Sequence, residues 1–97
     1  MPANLFELTA CIAETQALRF TPAGVPALNL SLEHSSQMPE LGVDRTVNLA
    51  LKAVAFGSLA ERLANQAVGS LWKFRGFLAN ARQGKSLVFH IQEFVQD

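Results

Sequence analysis

The stretch RFTPAGVPALNLSLEHSS, residues 19–36, decides the fold. In it Leu28, Leu30 and Leu32 alternate with Asn29, Ser31 and Glu33, the two-residue period of a strand with one dry and one wet face. Thr21-Pro22-Ala23-Gly24 precedes this strand and reads as a turn. Pro presets φ at the second position, and Gly accepts the backbone geometry needed where the chain re-enters a sheet. Residues 18–20 are therefore expected to pair back across the turn.

Working outward, residues 4–14 read as a first strand with Phe6, Leu8, Ala10 and Ile12 on its core face. A bend or bulge over residues 14–17 follows, the device by which a long strand turns the corner of a small barrel. Downstream, residues 35–42 are polar, contain Pro39 and Gly42, and are expected to form a loop. Residues 44–56 form a strand, with Val47, Leu49 and Leu51 alternating with Asn48, Ala50 and Lys52.

Gly57 closes that strand. Ser58 and Glu61 have the spacing of a capping box, and Leu59 and Leu63 lie one turn apart as the buried pair of a short helix ending at Gly69. Residues 70–79 and 86–94 return to strand. Three strands, a short helix and two strands is the order of an all-β, five-stranded OB-fold Greek-key barrel with a helical connection between strands 3 and 4. An SH3-like barrel or a small α+β sheet fits the same periodicities.

Ninety-seven residues suit one domain, 1–97, and a chain of this size buries only about 60–65% of its extended surface. Hydrophobic residues make up 49% and charged residues 16%, against an ordinary charged share of about 25%. Some apolar surface is therefore expected between subunits, the alternative being a monomer with an apolar exterior. Eight basic and eight acidic side chains leave no formal charge, which argues against a strongly electrostatic nucleic-acid binder, although a local basic strip can exist on a neutral protein. The single cysteine, Cys11, excludes an internal disulfide and a thiolate-rich metal site. No apolar run approaches the roughly 20 residues of a membrane-spanning helix, and the expected compartment is the cytoplasm.

No paired carboxylates, histidine cluster or glycine-rich phosphate loop points to an enzyme, and no cofactor or metal is implied. Cys11 has no activating partner at a meaningful spacing, and His34 and His90 suit local hydrogen-bonding roles. The basic residues carry more signal. Lys73 and Arg75 share the outward parity of the fourth strand with Leu71 and Phe77, while Trp72, Phe74, Gly76 and Leu78 form the core parity. Arg82 and Lys85 follow in a loop, and Arg45 and Lys52 lie on the third strand. Bases on a barrel surface track a phosphate backbone; ordinary solvation is the alternative reading.

The TPAG hairpin resembles the first hairpin of the single-stranded-DNA-binding OB-fold proteins. With VPALNLSLEHSS at residues 25–36 and GFLANARQGKSLVFHIQ at residues 76–92, the chain resembles more specifically the primosomal replication protein N (PriB) family, over residues 4–94. The chain is expected to end at Asp97, close behind its last strand, unlike single-stranded-DNA-binding proteins with a long acidic tail. The resemblance implies a non-enzymatic, homodimeric accessory of replication restart that binds single-stranded DNA. Its implied partners are a primosomal helicase and the helicase-loading primosome proteins. An OB-fold adaptor that chiefly binds protein is the alternative.

In that family the loop between the fourth and fifth strands contacts single-stranded DNA and carries several lysines; here Arg82 and Lys85 represent them in a shorter loop. The aromatic binding positions of the family correspond to Val43 and Asn48. Arg45, Lys52, Lys73, Arg75, Arg82 and Lys85 are accordingly expected to form one nucleic-acid-binding surface of modest, salt-sensitive affinity.

Overall fold

The alternation around Leu28–Leu32 becomes the wall of a closed barrel in the computed structural model, which describes residues 2–96. The expected chain end at Asp97 lies outside the described residues. The elements are β1 (Phe6–Thr15), β2 (Arg19–Phe20), β3 (Pro26–Glu40), β4 (Val43–Phe56), α1 (Ser58–Ala64), β5 (Leu71–Asn80) and β6 (Leu87–Val95). The sheet order β1-β5-β6-β4-β3-β2 closes on itself through an added β1–β3 pairing. The two-residue β2 pairs only with the start of β3, Arg19 opposite Ala27 and Phe20 opposite Pro26. Five long strands therefore make the barrel, an OB fold as expected.

The closure depends on one strand serving two partners. β1 pairs with β5 from Phe6 to Cys11 and with β3 from Cys11 to Thr15. A register shift between Ile12 and Glu14 leaves Ala13 as the extra residue, and such a bulge bends and twists the strand so that it can change neighbours. The seam opposite is a short parallel pairing of β4 with β6, Ala53 opposite Phe89 and Val54 opposite His90.

Phe74, Phe89, Ile12, Leu28, Leu32 and Leu63 are the largest fully buried side chains. Each is worth about 1.5–3 kcal/mol relative to exposure. Leu59, Ala60 and Leu63 of α1 join the same core cluster as Leu28 and Ala55, so the helix closes one end of the barrel. Its start differs from the expected capping box. Gly57 is the N-cap, at φ 74°, and no side chain caps the helix; the Gly57 carbonyl accepts from the amides of Ala60 and Glu61 at 3.0 and 3.4 Å. Ser58 is already the first helical residue, where its hydroxyl has left the capping position. The left-handed Gly69 lies beyond the helix end at Asn65, and its amide instead donates to the Ile12 carbonyl at 2.7 Å.

Residues 35–42 are not a loop. β3 and β4 pair without interruption from Ala27–Phe56 to Glu40–Val43, forming a long hairpin closed by Leu41 and Gly42 alone. Both turn residues have positive φ, 52° and 79°, as a two-residue hairpin turn of matching twist requires. Pro39 breaks no β4 ladder bond because it sits next to the closing pair, where the amide of its strand points to the outer edge. The hairpin tip stands clear of the core, so Leu49 remains 37% exposed and Val47 and Leu51 are only half-buried.

Leucine at the left-handed position 41 costs about 1–2 kcal/mol, and its side chain is 99% exposed. Leu41→Asn keeps the turn and removes most of that strain. Thermal denaturation followed by circular dichroism is expected to show a midpoint raised by about 4–8 °C per kcal/mol recovered; an unchanged or lowered midpoint contradicts a strained turn.

Candidate nucleic-acid interface

Side chains of one parity on β3, β4, β6 and the end of β5 face outward and form a shallow sheet surface. In register across it run Asn29, the buried Val54, His90 and Phe77, with Ser31 opposite Lys52 in the next row. A groove of about 440 Å³ lies along this surface, lined by residues that include Gln16, Asn29, Ser31, Lys52, Ala81 and Val88. β1 enters it at Glu14, the one acidic lining residue.

Lys52 is exposed within this groove. The β5–β6 loop begins at Ala81 on its rim, closed by the Ala81 amide donating to the Ser86 carbonyl at 2.7 Å. Arg82 and Lys85 occupy that loop and are exposed. Lys52 thus lines the groove itself, while Arg82 and Lys85 follow Ala81 of its lining in the exposed loop.

The other three predicted bases stand apart. Arg45 is on the protruding hairpin, ion-paired with Glu40 at 2.9 Å, an exposed pair worth little in stability. Lys73 and Arg75 are on β5 opposite Thr9 and Glu7 of β1, with β6 between them and β4 in the barrel order. Arg75 donates to Glu7 at 2.6 Å and lies 3.9 Å from Glu93. The hydrogen bond and charge of Glu7, followed by the charge of Glu93, hold its guanidinium above the usual arginine range, so it is a fixed but locally neutralised cation.

Two features of the surface were missed in the sequence. Arg19 sits on β2, and its Nε donates to Asn29 Oδ1 at 2.9 Å, placing a further cation at the groove. Its parity gave a signal only once its pairing with Ala27 was known. His90 does not serve a hydrogen-bonding role in the described contacts but stacks on Phe77, with ring centroids 4.8 Å apart and planes 11° apart. His34 does have the local role expected of it. Its Nδ1 donates to the Thr9 carbonyl at 2.6 Å, and the Ser36 hydroxyl donates to Nε2 at 2.8 Å. Trp72 is half-buried, donates to Ser70 Oγ at 2.9 Å and packs edge-on against Phe94. Among the described residues no group of three histidine, cysteine or acidic side chains is placed to hold a metal ion, and no helix is long and apolar enough to cross a membrane.

A five-strand OB barrel with a basic loop beside an open, polar sheet surface defines a protein of the single-strand-binding class, and residues 4–93 match a family described as another single-strand binding protein family. The solved structure of an SSB domain from a Synechococcus protein shares the fold, with a TM-score of 0.72 at 20% identity over 97% of this chain and 96% of that one. Within that class the chain belongs to the PriB family. The replication restart protein PriB of Bordetella pertussis is 45% identical over 91 residues, covering 93% of this chain and 85% of that protein. The PriB structure from Ralstonia solanacearum has a TM-score of 0.90 at 34% identity, covering 99% of this chain and 100% of that one.

Proposed function

We propose that this protein is a non-enzymatic accessory of replication restart, acting in the cytoplasm as a homodimer that binds single-stranded DNA and stimulates a primosomal helicase. The reading rests on membership of the PriB family together with a groove lined by Lys52 and by Ala81, from which the loop carrying Arg82 and Lys85 begins. Those bases and Arg19 contact phosphates, without reading sequence. Arg45 extends the track along the hairpin. Arg75 contributes less, because its charge is already matched by Glu7 and Glu93, and so does Lys73, on β5 opposite β1 with β6 between it and β4.

Fluorescence anisotropy with labelled single strands tests this. Arg82→Ala with Lys85→Ala is expected to weaken binding equally for unrelated sequences and to make the slope of log K against log salt shallower by about 1.4, at roughly 0.7 per lost phosphate contact. Arg75→Ala is expected to change affinity less than Lys52→Ala. Unaltered binding by the double variant at low salt removes the loop from the site. If helicase stimulation on forked DNA persists when DNA binding is lost, the protein is an adaptor.

For the dimer, Phe6 to Leu8 have a strand partner on the β5 side, while β3 pairs with β1 only from Cys11 onward. Beside that edge lies a cleft of about 750 Å³, lined in part by Cys11, Leu49 and Leu71. Leu71 is 61% exposed. A second copy placed along β1 covers this apolar surface and extends the sheet. Sedimentation at micromolar protein is expected to give twice the chain mass; a monomer at all concentrations contradicts the dimer.

A further inference from the structure

We propose that the stacked rings of Phe77 and His90, continued by Phe56, are the base-stacking platform of this protein; the proposal rests on the single-stranded-DNA reading above. The three rings come from adjacent strands β5, β6 and β4 on the outward face. Phe77 and His90 are offset-stacked at 4.8 Å, and Phe56 follows at 6.3 Å from His90 with its plane turned by 29°. The rings therefore form a short column with nearly parallel planes, ending at Phe56, which is 44% exposed. A barrel exterior does not require such a column, because the core is already filled by Phe74, Phe89 and the leucines facing inward.

The surroundings select the occupant. Lys52 lies four residues from Phe56 on the same face of β4, about 13 Å along the strand at roughly 3.3 Å per residue. Arg19 is tied to Asn29, in the same row as His90 and Phe77. The basic β5–β6 loop starts at Ala81, which lines the groove together with Val88. Flat rings flanked by cations suit unstacked bases on a phosphate backbone, since any base offers a π face and the cations hold the phosphates. Glu14, at the far side of the groove, confines the anionic strand to the Lys52 side. The column also occupies the role left open by Val43 and Asn48.

The test separates this proposal from the function it rests on. Oligothymidylate is titrated into the wild-type protein, with anisotropy reporting binding and NMR following the ring protons of Phe56, Phe77 and His90. Upfield ring shifts on binding are expected. Phe56→Leu is expected to weaken binding by about ten-fold or more at every salt concentration, with an unchanged salt slope, because it removes a stacking partner and no phosphate contact. Phe56 is 44% exposed, so Phe56→Leu is expected to fold with the wild-type melting temperature by circular dichroism, which separates a lost stacking partner from a lost fold. Binding by the wild type with no shift at these rings, or equal affinity of Phe56→Leu, overturns the platform and leaves the DNA reading standing. Absence of any binding by the wild type overturns both.

Discussion

Gly76→Ala is expected to lower the melting temperature more than any other single methyl addition to this barrel. A Cβ at Gly76 would lie 1.8 Å from the carbonyl oxygen of His90 and 2.9 Å from its carbonyl carbon. The obstacle is the backbone of the paired strand, at the register shift between Arg75 and Gly76, so no rotamer change relieves it. Overpacking costs about 1–3 kcal/mol and occasionally more, and an unyielding neighbour places this case near 3 kcal/mol. For a domain of this size that corresponds to a fall of roughly 12–24 °C in midpoint. Thermal denaturation followed by circular dichroism measures it, and a midpoint within about 5 °C of the wild type contradicts the close approach. The same displacement separates Phe77 from His90, so single-strand affinity is expected to fall even at temperatures where the variant is folded.

Replacing Arg19, Lys52, Arg82 and Lys85 together by alanine is expected to produce the largest loss of DNA affinity. With about 0.7 units of salt slope per phosphate contact on single strands, four lost contacts make the slope shallower by about 2.8. At 0.1 M salt this corresponds to a loss of roughly 10²- to 10³-fold in affinity, shrinking as salt is raised. The four side chains lie on the exterior, so the melting temperature is expected to stay near that of the wild type, surface substitutions usually costing no more than about 0.5 kcal/mol. A quadruple variant that keeps the wild-type salt slope places the DNA on another face. Arg75→Ala in the same background then asks whether β5 carries it, a further loss of affinity placing the strand there.

Much of the barrel was legible one strand at a time. The burial of Leu28, Leu30 and Leu32, of Ala10 and Ile12, and of Leu59 and Leu63 follows the periodicities of their segments. The TPAG turn closes as expected, with the Gly24 amide donating to the Thr21 carbonyl at 2.8 Å. The hairpin tip was not legible, because Leu41 carries none of the chemistry by which a left-handed turn residue announces itself and Pro39 argued for a loop. The helix cap was misread because Gly57 supplies through a positive φ what a side chain usually supplies through a hydrogen bond.

Local patterning by itself determined which residues of each strand face inward and where the helix falls, since these depend on residue type and spacing within a few positions. The tertiary structure alone decided which outward residues become neighbours. Arg19 meets Asn29 through the β2–β3 pairing, and Phe77 meets His90 and then Phe56 through β5–β6 register and the parallel β4–β6 seam. It also divided the six predicted bases, lining one groove with Lys52, starting the loop of Arg82 and Lys85 at Ala81 of that lining, and setting Lys73 and Arg75 opposite β1. The physical reason is closure: parity tells a residue only that it points out of the sheet, and in a closed barrel the outward direction changes with every strand.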